Sequence, residues 1–135
     1  EKDTKLYTLE GAPSIAAIAS DGFTRLGLTN IEMITGPFDE NLEKLLERIP
    51  APGLAFIDGN HRRDPTLQYF KQLLARSTSS TILIFDDIHW SEEMEEAWET
   101  IKEDPAVTMT IDLFFIGIVL LRKEFKVKQH FLIRF

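Results

Sequence analysis

The feature that most constrains the fold of this chain is a regular alternation of short β-prone runs with amphipathic segments. Runs at 6–9, 31–35, 54–57 and 81–85 predict four strands, and each is followed by apolar residues at helical spacing. The run at 54–57 is continuously apolar, which is typical of a strand buried on both faces. Four strand–helix repeats predict a parallel sheet with right-handed crossovers and helices on both faces.

Particular residues mark where the four helices begin. Pro13 stands at the expected start of the first helix, where its fixed φ and missing N–H are tolerated. Asp39 and Ser91 are expected to cap the second and fourth helices, and Asp64 followed by Pro65 is expected to cap and begin the third.

After residue 105 the alternation of strands and helices ends. Segments 107–114, 116–122 and 129–135 are strand-like and leave no room for helices, so we expect them to pair antiparallel through short connections. The order βαβαβαβα followed by βββ predicts an α/β fold, a Rossmann-like three-layer sandwich whose mostly parallel sheet ends in antiparallel strands. No linker interrupts the pattern, so residues 1–135 are expected to form a single domain.

Composition narrows the classes of partner. The chain has 135 residues, with 15 Lys and Arg against 22 Asp and Glu, so its formal net charge is −7. This balance argues against nucleic-acid binding, which requires clustered basic residues. No apolar stretch approaches the roughly 20 residues that a membrane-spanning helix needs, so no membrane partner is expected. The absence of cysteine fits a reducing compartment, and we expect a cytoplasmic location.

Acidic side chains follow three of the four predicted parallel strands, at Glu10, at Asp58 and at the pair Asp86 and Asp87. Ligands of open α/β sheets bind beyond the carboxyl ends of the strands, and an acid placed like Glu10 accepts the hydroxyls of a nucleoside ribose. The three Asp residues are the type of oxygen ligand that Mg²⁺ or a similar divalent cation prefers. The alternative is that these acids cap turns or face solvent.

Two histidines, His61 and His89, follow acidic strand ends. Both are predicted to face the ligand-binding edge, where a neutral imidazole acts as a general base or binds a substrate group. The alternative is that both are surface residues of loops. His130 lies in the last predicted strand and is expected to have a structural role.

Four motifs together resemble a known family. They are Leu-Tyr-Thr-Leu-Glu-Gly at 6–11, Ile-Thr-Gly at 34–36, Phe-Ile-Asp-Gly-Asn-His at 56–61 and Ile-Phe-Asp-Asp-Ile-His-Trp at 84–90. They resemble the class I S-adenosylmethionine-dependent methyltransferases, in the O-methyltransferase-like branch that includes catechol and caffeoyl-CoA methyltransferases. The resemblance covers nearly the whole chain and implies that S-adenosylmethionine (SAM) donates a methyl group to an oxygen of a small molecule.

The resemblance also implies residue roles at the cofactor. Glu10 matches the acid that binds the cofactor ribose, with Gly11 beside it. Gly36 and Phe38 lie where the family frames the adenine, although Pro37 replaces an acidic or small polar residue. Asp58 is also expected to bind the cofactor.

Further roles concern a cation and a base. Asp58 and Asp86 match the metal ligands of the cation-dependent branch, and Asp87 replaces the usual Asn, so a cation-assisted reaction is one expectation. His61 stands near the position where some members carry a catalytic lysine.

The largest departure from the family precedes Glu10. The family's first strand and Gly-rich loop should lie roughly 20 residues before this acid, but nine residues precede it and none is glycine. That strand is central in the family's sheet, so two of its neighbours would lose a shared partner. We therefore expect a truncated protein, a borrowed strand or a rearranged sheet, and weak or absent SAM binding by these residues alone.

An alternative from another class is a non-catalytic α/β domain that self-associates. Apolar residues alternate in the closing segment 131–135, so an exposed sheet edge there would support a homo-oligomer. A receiver-like phosphoacceptor is a third interpretation, but its acidic pair follows the first strand, whereas here the pair follows the fourth.

Overall fold

The computed structural model describes residues 4–134 and confirms the α/β class. Strands and helices alternate through the first four pairs, and three strands follow, as predicted. The elements are β1 (Leu6–Glu10), α1 (Pro13–Arg25), β2 (Ile31–Thr35), α2 (Phe38–Arg48), β3 (Leu54–Ile57), α3 (Arg63–Arg76), β4 (Ile82–Asp86), α4 (Glu92–Glu103), β5 (Met109–Asp112), β6 (Ile116–Leu120) and β7 (Gln129–Leu132).

The predicted parallel sheet is divided into two sheets, each in its own compact unit. The first unit ends at Arg48, and the second begins at Ile49. Among the described strands, β1 pairs only with β2, and β3 pairs only with β4. No helix within residues 4–134 is long and apolar enough to cross a membrane.

The first unit is built on a parallel pair of strands. β1 and β2 pair from Leu6 opposite Ile31 to Glu10 opposite Thr35. The N–H of Gly36 donates to the Glu10 carbonyl at 2.9 Å, which extends the pairing beyond both strands. α1 packs on both strands, and α2 packs on β1. The register therefore places Glu10 and Gly36 side by side at the carboxyl end of this sheet.

The second unit contains a mixed sheet in the order β3-β4-β6-β5-β7. β3 and β4 are parallel, and β6 is antiparallel to both β4 and β5. The antiparallel prediction is thus confirmed for β5 and β6. It is wrong for β7, which pairs parallel to β5. β6 ends with Leu120 opposite Met109, at the end of the sheet where β5 begins. The connection 121–128 therefore only passes the end of β5, and β7 starts on its far side in the same direction as β5.

One face of this mixed sheet forms the core of the second unit. Leu83, Phe85 and Val119 are fully buried, as is Trp98 of α4. The indole ring of Trp98 lies so close to Gly117 of β6 that a Cβ there would stand 2.6 Å from a ring carbon. α3 and α4 contact each other, so they cover the same face.

The prediction that β3 is buried on both faces is wrong. Leu54 and Phe56 are 58% and 54% exposed. A continuous apolar run makes both faces of a strand suitable for burial, but burial also requires that another element packs on each face. Within this unit the described helices cover the face opposite to these two side chains.

The helix starts agree with prediction at Pro13 and Ser91 and differ at two others. The Ser91 hydroxyl accepts a hydrogen bond from the N–H of Met94 at 3.3 Å, as an N-cap does. Asp39 and Asp64 are not caps, because α2 and α3 each begin one residue before them. Both acids lie instead in the first helical turn, where the helix dipole favours negative charge.

Candidate functional site

The carboxyl ends of three strands meet at one edge of the second unit's sheet. β3 is parallel to β4, and both β4 and β5 run antiparallel to β6, so all three end at this edge. Asp58 follows β3, Asp86 ends β4 and Asp112 ends β5. The sequence predicted the first two acids at this edge but not Asp112.

His61 lies between two of the predicted acids. Its Nε2 atom is 3.4 Å from Oδ1 of Asp58, and its Nδ1 atom is 3.8 Å from Oδ2 of Asp87. The side chains of His61 and Asp87 are about one-third exposed, whereas that of Asp58 is half exposed. Three residues singled out from the sequence are therefore brought together, and this group is called the His61 cluster below.

The backbone adopts an uncommon conformation at one member of the His61 cluster and at the residue that precedes His61. Asn60 and Asp87 have φ values of 64° and 52°, in the left-handed region that Asn and Asp enter more readily than most residues. The amide Nδ2 of Asn60 also lies 3.5 Å from the hydroxyl of the buried Tyr69, which ties the turn after β3 to α3.

His89 is held between a different pair of carboxylates. Its Nε2 atom is 2.9 Å from Oδ2 of Asp112, and its Nδ1 atom is 3.1 Å from Oε1 of Glu95. The other oxygen of Asp112 accepts the N–H of Phe114, whose ring stacks on the His89 imidazole with centroids 5.6 Å apart. Phe114 has a φ of 74°, which is unusual for so bulky a residue.

These contacts shift two pKa values in opposite directions. Partial burial disfavours the charged His89 ring, but the hydrogen bonds and charges of Asp112 and Glu95 outweigh it and raise the pKa of His89. Burial likewise opposes ionisation of Asp112, but the Phe114 N–H and His89 outweigh it and lower the pKa of that carboxyl. Both ring nitrogens of His89 are engaged, so this geometry favours a positioning role over that of a base.

The two histidines are therefore in separate clusters. Within residues 4–134, no hydrogen bond or ion pair joins the His61 cluster to His89. Asp112 could have been found from the sequence, since an acid inside an otherwise strand-like segment needs a buried partner.

In the first unit, Glu10 is held in place by the chain that follows it. Its Oε1 atom accepts the N–H of Ala12 at 2.8 Å, while Oε2 has no hydrogen-bond partner among the described residues. Gly36 lies beside it with a φ of 127°, and a Cβ there would stand 2.9 Å from the Asn41 amide nitrogen. Gly11 is exposed, and Phe38 is half-buried at the start of α2.

The acids of the second unit only partly fit a divalent cation. In the part of the chain that the structure describes, no group of three or more His, Asp or Glu side chains is arranged to hold a metal ion. Asp58 and Asp87 both face His61, and Asp86 forms no ion pair with this cluster. These three acids do not converge on one point.

Two surface depressions lie elsewhere, along α3 and at its start. Their volumes are about 480 Å³ and 310 Å³. Neither is lined by a predicted site residue; the lining residues are Arg62, Arg63, Asp64, Pro65, Leu67, Gln68, Lys71, Gln72 and Glu93.

The chain is similar to a known protein family and to a curated relative. Residues 1–88 match the family described as a methyltransferase domain. A catechol O-methyltransferase of Niastella koreensis is 33% identical over 89 residues, which are 64% of this chain and 39% of the relative. The chain thus spans about two fifths of that relative.

Solved structures share the fold at lower sequence identity. A methyltransferase of Podospora anserina with bound S-adenosylhomocysteine (SAH) superposes with a TM-score of 0.74 at 17% identity, over 89% of this chain and 62% of that one. An O-methyltransferase of Bacillus cereus in complex with SAH gives 0.69 at 22% identity, over 86% and 62%. The O-methyltransferase TomG of Streptomyces achromogenes with SAM gives 0.71 at 20% identity, over 89% and 63%.

The family match covers well over half of the chain, and the fold agrees with it. The chain belongs to the class I S-adenosylmethionine-dependent methyltransferases, and it resembles their O-methyltransferase-like members.

Proposed function

We propose that the protein transfers the methyl group of SAM to an oxygen of a small molecule. The observation that carries this proposal is the placement of Glu10 beside Gly36, at the carboxyl ends of two parallel strands in a chain of this family. Relatives named O-methyltransferases, and similar structures that contain SAM or SAH, support the choice of donor and acceptor atom.

Glu10 is proposed to hold the ribose of the cofactor. The Ala12 N–H orients its carboxylate through one oxygen, which leaves the other to accept a ribose hydroxyl. Gly36 presents backbone without a side chain next to this carboxylate, and Gly11 and Phe38 are proposed to border the rest of the nucleoside. These residues together form the proposed nucleoside-binding site of the first unit.

The chemical step demands mainly positioning. A lone pair of the acceptor oxygen forms a bond to the methyl carbon while the carbon–sulfur bond breaks, and its electron pair stays on sulfur to give SAH. The acceptor hydroxyl loses its proton, and His61 is proposed to take it, with Asp58 and Asp87 orienting the ring. Holding the oxygen in line with the methyl group supplies most of the acceleration.

Turnover by the intact protein tests this proposal. The protein is incubated with SAM carrying a deuterated methyl group and a panel of catechols, phenols and aliphatic alcohols. We expect one SAH per product, with the label on oxygen, and a loss in kcat of about 100-fold or more for His61→Ala. His130→Ala is the matched control, since His130 contacts Thr110 rather than the cluster. Failure to bind SAM, or label on nitrogen or carbon alone, would refute it.

Self-association through β7 is a second candidate, favoured by one observation. β7 is an edge strand of the second unit's sheet, and Phe131, Leu132 and Ile133 are each about half exposed. Such an edge can pair with the same strand of a second copy. Sedimentation velocity across a hundredfold range of concentration tests this, and a constant monomer mass would contradict it.

A further inference from the structure

We propose that His61 takes the place of a divalent cation between Asp58 and Asp87, so that this site works without a bound metal ion. The part of this inference that concerns metal binding stands on the geometry of the His61 cluster alone. Its consequence, that methyl transfer needs no cation, rests on the proposed function.

The first argument is the position of the ring. One imidazole nitrogen faces a carboxylate oxygen of Asp58 at 3.4 Å, and the other faces one of Asp87 at 3.8 Å. Two of the three carboxylates that the sequence offered as metal ligands are therefore separated by the ring. A magnesium or calcium ion needs its oxygen ligands at about 2.0–2.6 Å around one common centre. An ion bridging these carboxylates requires that the ring moves away.

The second argument is that the loop holding His61 is anchored. The preceding residue, Asn60, has a left-handed backbone and lies 3.5 Å from the hydroxyl of the buried Tyr69. Asp87, on the opposite side of the ring, is also left-handed. The His61 side chain is 31% exposed, so most of its surface is covered. The anchored turn and the partial burial of the ring therefore favour the observed position of His61 between the two acids.

The third argument is charge. Two carboxylates at neighbouring strand ends repel each other unless a donor or a cation lies between them. Within residues 4–134, His61 is the one basic side chain that contacts Asp58 or Asp87. Arg63, two residues further on, pairs instead with Asp64 and Glu96. His61 is therefore the hydrogen-bond donor placed between these two acids, at the position that a cation-dependent site gives to a metal ion.

Manganese binding by the intact protein tests the inference without relying on turnover. Mn²⁺ is titrated into wild type, His61→Ala and the control His130→Ala, and bound ion is measured by electron paramagnetic resonance. We expect no saturable binding at this edge in wild type and His130→Ala. His61→Ala frees the two carboxylates, so it should bind Mn²⁺ at least tenfold more tightly, and adding Asp58→Asn should abolish this gain.

Two outcomes would overturn the inference. One is saturable Mn²⁺ binding by wild type that Asp58→Asn removes, and the other is a His61→Ala variant that binds no more tightly than wild type. Circular dichroism checks folding, and His61→Ser is the second variant if alanine unfolds the loop. If the protein transfers methyl groups, a chelator should leave the rate of transfer unchanged. Absence of methyl transfer would count against the proposed function, but it would leave the Mn²⁺-binding test of this inference unaffected.

Discussion

At the residue scale, His61 and His89 differ in how their ring nitrogens are used. His89 forms short contacts to Asp112 and Glu95 through both nitrogens, at 2.9 and 3.1 Å. The contacts of His61 are longer, at 3.4 and 3.8 Å, and leave room for a substrate group to compete for the ring. His89 is therefore expected to stabilise the structure, whereas His61 is expected to take part in the chemistry.

The His89 cluster predicts a pH-dependent stability. The raised pKa of His89 contributes stability that is complete below its ordinary value of 6.5 and is lost as pH rises through the folded value. The lowered pKa of Asp112 contributes stability that is complete above its ordinary value of 3.8 and is lost as pH falls. The pair should therefore stabilise the fold most between these two ordinary values.

His89→Gln tests this prediction in thermal melts. Wild type should lose melting temperature between pH 6 and pH 8.5, and the variant should lose less, because it has no charged ring to titrate. The matched control is His130→Gln, whose loss should follow wild type. If the melting temperature of His89→Gln depends on pH as steeply as that of wild type, the contacts of His89 with Asp112 and Glu95 are not the cause of the pH dependence.

Part of the candidate site was predictable residue by residue. Glu10, Asp58 and Asp87 are visible because an acid directly after an apolar strand has few structural reasons to be there. The pairings of His61 with Asp87 and of His89 with Asp112 were not predictable, because these acids follow or end other strands that only the fold brings near. Asp112, for example, meets His89 across 23 positions of sequence.

At the element scale, β6 and α4 are packed too closely for any side chain at position 117. A Cβ on Gly117 would stand 2.6 Å from one carbon of the Trp98 ring and 3.0 Å from Ile88. Gly117→Ala should therefore destabilise the protein by about 1–3 kcal/mol, the usual cost of overpacking a core.

Urea unfolding of Gly117→Ala measures this loss. The control is Gly53→Ala, because an added Cβ there meets nothing within 4 Å and its backbone φ is not positive. The control should change stability by less than about 0.5 kcal/mol. Equal effects of the two substitutions would show that the Trp98 contact is not the cause.

The end of α4 is tied to the segment that leads into β7. The ammonium group of Lys128 donates to the carbonyls of Lys102, Glu103 and Asp104, at 3.1, 2.8 and 2.7 Å. These carbonyls lack partners inside the helix. Lys128→Met keeps the apolar stem but should cost about 1 kcal/mol, since a charged hydrogen-bond donor is lost.

Chemical denaturation again measures the effect of Lys128→Met. Lys126→Met is the control, because the Lys126 ammonium group donates to the carbonyl of Lys123, which lies outside the described helices. If Lys126→Met destabilises the protein as much as Lys128→Met, the cap on α4 contributes nothing specific.

Element type was more predictable than element pairing. Apolar periodicity identifies each helix and strand, and the Ser91 cap marks the start of α4, because both signals depend on local sequence. The parallel direction of β7 and the exposure of β3 depend on how a connection crosses the sheet and on what covers a face. The local sequence pattern determines neither the direction of β7 nor the exposure of β3, and both predictions were wrong for this reason.

At the scale of the whole molecule, the family assignment rests on the match of residues 1–88 to a methyltransferase domain and on the agreement of the fold, rather than on any one residue. β1 and β2 present Glu10 and Gly36, while β3 and β4 present the His61 cluster. The chain spans about two fifths of its curated relative, so its activity is a proposal about the intact protein. That proposal depends most on Glu10.

Calorimetric titration of SAH into the intact protein tests this dependence most directly. Wild type should bind SAH with a micromolar dissociation constant, and Glu10→Ala should bind at least tenfold more weakly. Glu10→Gln keeps an acceptor for the Ala12 N–H but loses the charge, so it should fall between them, and the exposed Glu40→Ala should match wild type. An affinity for SAH that Glu10→Ala leaves unchanged would contradict the placement of the cofactor at this strand end.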